Sequence, residues 1–139
     1  MTRTGPAKKV AKEYATGRLA NARAYLQAAH DTFALAREGS NTNPAMSQII
    51  NAAIAYTDAL TASRKSLVNQ QDHGAAVKLP REAFGRELPV AQERQLRRIL
   101  EDKDEVQYGV SMGRYSEAEE RLADLEAYAA WAEMQLIGR

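Results

Sequence analysis

The residues predict an all-α fold, an antiparallel bundle of four main helices and one short one. Three observations carry that expectation. Nearly every segment repeats its apolar residues at steps of three and four, the helical period, and almost none alternates at the strand period. Alanine is abundant and β-branched residues are few, which favours helices because alanine loses no side-chain entropy in one. The breaks between periodic segments coincide with stop and start signals such as Gly39, Asn43-Pro44 and Gly109. The 139 residues read as one domain, 1–139, large enough to bury roughly two-thirds of the surface its unfolded chain exposes.

The first helix is expected from near Pro6 to Arg37, with Leu19, Ala22, Leu26, Ala29 and Phe33 as its apolar stripe and Gly39 as its left-handed stop. Asn43-Pro44 restarts the chain as cap and first helical residue. The second helix places Met46, Ile50, Ala53, Thr57 and Leu60 on one face, and Ile49, Ile54 and Tyr56 widen that face, so this helix is expected to be central. Arg64 to Gln71 is polar without period and reads as a loop. Asp72 caps a short third helix with Ala76 and Leu79 facing inward, which Pro80 should kink or end. Gly85 and Pro89 bracket the next break. A fourth helix follows from about Val90 to Tyr108, ended by Gly109. Ser116 and Glu119 have capping-box spacing for the last helix, whose stripe is Ala118, Leu122, Leu125, Ala129, Ala132 and Leu136.

Composition narrows the function classes. There is no cysteine, which removes disulfides, thiolate catalysis and cysteine-bound zinc. Two histidines argue against a histidine-rich metal centre, and no cofactor or metal is expected. No run of about 18 apolar residues is present, so no membrane span is expected. Residues 2–12 carry Arg3, Lys8, Lys9 and Lys12 without an acid, and 1–11 reads as a frayed basic arm rather than a targeting segment. A cytoplasmic location is the default expectation. The net charge of +1 conceals a split: residues 1–100 hold 15 Lys/Arg against 8 Asp/Glu, and residues 101–139 hold 4 against 10. Such asymmetry favours head-to-tail pairing or steers a charged partner to one face, or it is simply the variation of solvated helix faces.

The stretch Leu96–Gly109 holds the sharpest candidates. Leu96, Ile99, Leu100 and Val106 share one stripe, and Lys103 falls on it. A core-facing lysine needs either an acid partner or a polar site, because an unpaired buried ammonium is costly. Asp104 and Tyr108 are four apart and share a helix face. Lys103, Asp104 and Tyr108 together offer a cation, an acceptor and a phenol, suited to a phosphate, a base or a partner carboxylate. Unperturbed Lys and Tyr titrate near roughly pH 10, which disfavours acid–base catalysis by these two. Alternatively Lys103 snorkels past Leu100 to pair with an acid of another helix.

Asp72-His73 offers an oriented imidazole, or just a capping aspartate beside an ordinary histidine. His30 reads as a half-buried structural histidine. Arg94, Arg97 and Arg98 form one basic cluster, and Arg64 and Lys65 another. Either could contact phosphates, and either could be an ordinary solvated face. Neither is interleaved with aromatics, so no stacking platform for single-stranded RNA is indicated. The scattered glycines form no phosphate loop or dinucleotide fingerprint, and no His-Glu-x-x-His or Glu-x-x-His pair occurs. Tyr128 and Trp131 read as core or interface aromatics.

The chain resembles the HEPN domains (higher eukaryotes and prokaryotes nucleotide-binding). The resemblance is carried by the segment Ile50-Asn51-Ala52-Ala53-Ile54-Ala55-Tyr56-Thr57-Asp58-Ala59-Leu60, by Asp72-His73, and by Lys103-Asp104-Glu105-Val106-Gln107-Tyr108, over about residues 12 to 136. It implies a small helical bundle that works as a homodimer. Catalytic members of that family are metal-independent endoribonucleases with an arginine, a polar residue and then a histidine on a late helix. Lys103, Asp104 and Tyr108 stand at those positions with the spacing kept. Lysine lacks the bidentate fork of arginine, and tyrosine is a poor base near neutrality. Arg23 and His30 also satisfy the spacing, but on the first helix. The leading expectation is therefore a non-catalytic HEPN-like binding module for a nucleotide, an RNA phosphate or a partner protein. The resemblance suggests toxin–antitoxin, phage-defence or RNA stress systems, with a nucleotidyltransferase as a candidate partner. One alternative is a divergent ribonuclease in which His73 replaces the missing base. The other is a structural scaffold in which Lys103 anchors an ion pair with an acid of the first or last helix.

Overall fold

The computed structural model describes residues 7–69 and 73–137, with the backbone alone for 73–75. Its elements are β1 (Lys8–Lys9), α1 (Glu13–Leu35), α2 (Asn43–Lys65), β2 (Leu67–Val68), α3 (His73–Phe84), a 3-10 turn (Gly85–Glu87), α4 (Val90–Glu101), α5 (Lys103–Tyr108) and α6 (Tyr115–Ile137). The fold is an all-α helical bundle, as the periodicity predicts. Among the described residues no helix is long and apolar enough to cross a membrane.

The core is built around α2. Every residue from Ala55 to Ala62 is buried, so this helix is covered on all sides over two turns. That burial is tolerable because the segment is Ala, Tyr, Thr and Leu with one charge, Asp58. Ala22 and Ala29 of α1 and Ala52, Ala53 and Ala55 of α2 are completely buried, and their small side chains let the helices approach closely. Tyr128 of α6 is also fully buried. Its hydroxyl lies 2.7 Å from Thr57 Oγ1, which in turn donates to the Ala53 carbonyl at 2.7 Å. Burial of this kind is favourable by roughly 25 cal/mol per Å² of apolar surface, and it requires each buried hydroxyl to have a partner.

Cross-helix contacts set the directions. Arg23 of α1 meets Glu133 of α6, and Phe33 of α1 stacks on Tyr115, so α1 and α6 are antiparallel. Phe84 at the end of α3 meets Trp131 and Arg98 of α4 meets Asp124, so the chain from the end of α3 through α4 runs antiparallel to α6. Thr42 reaches Arg114 and Thr57 reaches Tyr128, so α2 and α6 run parallel.

The boundaries differ from expectation at identifiable places. The first helix begins at Glu13 and ends at Leu35, inside the expected 6–37. Part of the expected frayed arm is tied down: Lys8 and Lys9 pair antiparallel with Val68 and Leu67, and the Val10 N–H donates to the Ser66 carbonyl at 3.0 Å. Residues 1–6 lie outside the described residues. The expected loop from Arg64 is instead the last turn of α2, because Ser66 takes a left-handed conformation (φ 57°) that closes the helix one step later. Pro80 sits within α3 without ending it. The fourth helix is interrupted at Asp102 and splits into α4 and α5. α6 starts at Tyr115, one residue before Ser116, so Ser116 is not its cap.

Candidate functional site

The Lys103–Tyr108 motif occupies the whole of α5. Leu96, Ile99 and Leu100 of α4 are buried as expected, and Lys103 is half-buried beside them. Among the described residues Lys103 forms no ion pair with an acid of α1 or α6, which removes the anchor that the scaffold alternative requires. Its ammonium instead lies 5.7 Å from the centroid of the Tyr108 ring, within cation–π range. Tyr108 is 77% exposed.

The chain after α5 is held by side chains of α5 and of the start of α2. Glu105 Oε2 accepts from the Ser111 N–H at 3.1 Å. Hydrogen bonding to Ser111 holds the Glu105 carboxyl below its ordinary range. Asn43 Nδ2 donates to the Ser111 carbonyl at 2.8 Å, and Thr42 Oγ1 donates to the Arg114 carbonyl at 3.2 Å. Gly113 is required for that approach, since a Cβ there would sit 2.7 Å from Thr42 Oγ1 and 2.8 Å from Asn43 Oδ1. A side chain at Gly109 would likewise strike the Glu105 carboxylate. This held loop presents Val110, 99% exposed, and Met112, 58% exposed, next to Tyr108. The result is an apolar projection with an ammonium at its edge.

The other sequence candidates do not converge on this point. Arg98 is taken by Asp124 at 3.1 Å. Arg64 pairs with Glu87 at 2.9 Å and lies 4.2 Å over the Phe84 ring, so it is committed to the junction of α2 and the 3-10 turn. Arg94, Arg97 and Lys65 are exposed. Arg97 lines a groove of about 550 Å³ between α3 and α4 together with Lys78, Arg81 and Glu93. There Arg81 and Glu93 pair at 3.0 Å, which holds the Glu93 carboxyl below its ordinary range. Asp72 lies outside the described residues, and so does the side chain of His73 at the start of α3. The distance from His73 to Lys103 that the ribonuclease alternative depends on lies there too. Asp104 is exposed on α5.

A second polar cluster was not anticipated. Between α1 and α6 a groove of about 460 Å³ is lined by Arg23, His30, Tyr56, Glu126 and Glu133. Arg23 donates to both oxygens of Glu133, at 2.6 and 2.8 Å, and the Tyr56 hydroxyl donates to the same carboxylate at 3.1 Å. These donors hold Glu133 below the ordinary carboxylate range, with Arg23 the largest cause. His30 Nε2 is 3.2 Å from Glu126. Arg23 and His30, which share the ribonuclease spacing, thus face one groove, each occupied by its own acid. Among the described residues no group of three His, Asp or Glu side chains could hold a metal ion.

Val110 and Met112 were also missed. Their signal was available: two large apolar residues between Gly109 and Gly113, where a solvated turn has no use for them. Comparison with models of protein families, with curated proteins and with solved structures finds no match to this chain, so its function is argued from these surfaces.

Proposed function

We propose that the chain is a non-catalytic, HEPN-like binding module that holds a partner protein through α5 and the loop after it. The observation that carries this reading is the exposure of Tyr108, Val110 and Met112 on a backbone held by Glu105, Asn43 and Thr42. Large apolar side chains on a held loop are disfavoured in water and are repaid by a partner's surface. A protein fits better than a nucleic acid. Of the cations named as phosphate contacts, Arg64 and Arg98 are held in ion pairs and Lys65 stands on another helix, so only Arg94 and Arg97 are left side by side, too few to track a phosphate chain. The partner's complement is an apolar pocket with a carboxylate at its rim, opposite Lys103. The family resemblance makes a nucleotidyltransferase the first partner to try.

The test co-purifies the protein with the nucleotidyltransferase or other product of its neighbouring gene, and in parallel titrates it with ATP and with a labelled RNA. A complex that Val110→Asp and Met112→Asp abolish, with neither ATP nor RNA binding, is the expected result. RNA cleavage in EDTA that Lys103→Ala abolishes would overturn the reading in favour of a ribonuclease. Binding of ATP or RNA that needs Lys103 would overturn the choice of a protein partner.

A further inference from the structure

α3 and α4 are joined by the 3-10 turn and face each other along a groove, and one ion pair fixes how their residues line up. Ala76, Pro80, Ala83 and Phe84 of α3 are buried, which turns Val77, Lys78 and Arg81 toward α4. On α4 the facing stripe is Glu93, Arg97, Leu100 and Glu101, at steps of four, three and one. Arg81 donates to both oxygens of Glu93, at 3.0 and 3.1 Å, and its third nitrogen donates to the Gly85 carbonyl at 2.6 Å. This fork closes the groove at the turn. One helical turn further from it stand Lys78 on α3 and Arg97 on α4, three residues before Arg81 and four after Glu93. The register therefore sets cation against acid at the first level and cation against cation at the second.

The second level has no acid of its own. Lys78 and Arg97 are exposed and form no ion pair among the described residues. Arg97 is close enough to Glu93 to help hold that carboxyl low, but both Glu93 oxygens are taken by Arg81. Beneath the two cations the floor is apolar: Leu100 is 6% exposed and Val77 packs on the core. Two like charges across an apolar floor repel each other and concentrate an anion between them. The groove, about 550 Å³, is of small-molecule size. Acids stand beyond the cations on both sides, Glu93 toward the turn and Glu101 one turn further on. They leave room for one negative charge and repel a second.

We infer that this groove binds a small amphiphilic monoanion, a carboxylate on a hydrocarbon body, at a place separate from α5 and its loop. Arg97 presents its guanidinium fork to the carboxylate, and Lys78 adds a second cation from the opposite wall. The hydrocarbon body covers Val77 and Leu100, a burial that a bare inorganic anion cannot supply. A phosphate monoester, with a charge of roughly −1.5 to −2 near neutrality, meets the repulsion of Glu93 and Glu101 as well as the two cations and is disfavoured. A nucleic-acid strand is disfavoured for the same reason.

The probes are octanoate, octylamine, octyl phosphate and acetate, each added to the full chain below its micelle concentration. Binding is read from amide chemical shifts, which also place the ligand. Octanoate is expected to shift amides of α3 and α4, to bind at least about tenfold tighter than octylamine, and to bind at least about threefold tighter than octyl phosphate. Acetate, the same head without the body, should not bind over the same range. Arg97→Gln and Lys78→Gln should each weaken octanoate at least about threefold, and Arg97→Glu should abolish its binding. Lys65→Gln, at the end of α2, should change nothing. Glu101→Gln should narrow the gap between octyl phosphate and octanoate, which a general basic patch would not do. Circular dichroism confirms that each variant is folded. Val110→Asp should leave octanoate binding intact, which separates the inference from the proposed function. No octanoate binding, equal affinity for octanoate and octylamine, or indifference to both Arg97→Gln and Lys78→Gln would overturn it. So would shifts confined to residues 109–112, or octyl phosphate binding tighter than octanoate.

Discussion

α2 and the segment 103–112 treat apolar side chains in opposite ways. In α2 the run from Ala55 to Ala62 is enclosed on every side, and the hydroxyls of Thr57 and Tyr56 have partners in Ala53, Tyr128 and Glu133. In 103–112 Val106 packs on the core but Tyr108, Val110 and Met112 stand in solvent, while the loop backbone is hydrogen-bonded to Asn43 and Glu105 at Ser111 and to Thr42 at Arg114. The same residue chemistry thus reports stability in one region and, under the proposed function, recognition in the other. The difference lies in what surrounds the side chain. A buried methylene loses contacts when removed, whereas an exposed one has none to lose until a partner arrives.

The contrast can be broken most forcefully in α2. Ile50→Ala removes a completely buried side chain and should cost about 2–5 kcal/mol in urea unfolding. If it costs no more than Val110→Ala, the two regions are not different in kind. A smaller effect comes from Asp58, the one charge enclosed in α2. Burial raises its carboxyl to about 6 despite Arg18 at 3.3 Å. The folded state therefore binds this proton more tightly than the unfolded chain. Stability should rise as pH falls from neutrality through about 6 and level off near the ordinary carboxyl value, about 4. Asp58→Asn should flatten that rise, and an unchanged pH profile in the variant would show that another group is responsible. At lower pH the trend reverses: Glu93 and Glu133, both held below their ordinary range, lose their ion pairs as they protonate.

Tyr128→Phe removes the buried hydroxyl contact with Thr57 and should cost about 1 kcal/mol, since Thr57 keeps its bond to Ala53. Arg23→Ala breaks the paired contact with Glu133, but half of the Arg23 side chain is exposed, so the loss should stay below about 1 kcal/mol and shrink with salt. The smallest effect on stability belongs to the exposed loop. Val110→Asp should shift unfolding by no more than about 0.5 kcal/mol while abolishing partner binding. A large destabilisation there would mean that the loop packs against the fold after all.

Much of the architecture was legible because helical period is a local signal. The stripes of α2 and α6 appear in the residue spacing, and Met46, Ile50, Leu122 and Leu125 are buried where that spacing puts them. The break at Asp102 carries no proline or glycine to announce it. The pairing of Lys8–Lys9 with Leu67–Val68 is too short to show a strand period. Lys103 was legible as a polar residue on an apolar stripe, but its neighbour, the Tyr108 ring, was not distinguishable from an acid elsewhere in the chain.

The amino-acid sequence by itself determined the helical class, the central place of α2, the absence of thiol chemistry and the split in charge, all of which follow from composition and from spacing within one helix. Only the tertiary structure decided which charges are spent and which surfaces are left. Arg98 on Asp124, Arg64 on Glu87 and Arg23 on Glu133 are contacts between residues far apart in the chain. The exposure of Val110, Met112 and Met134 was decided in the same way. Spacing along a helix says which side chains share a face, but whether that face meets another helix or water depends on where the rest of the chain is packed.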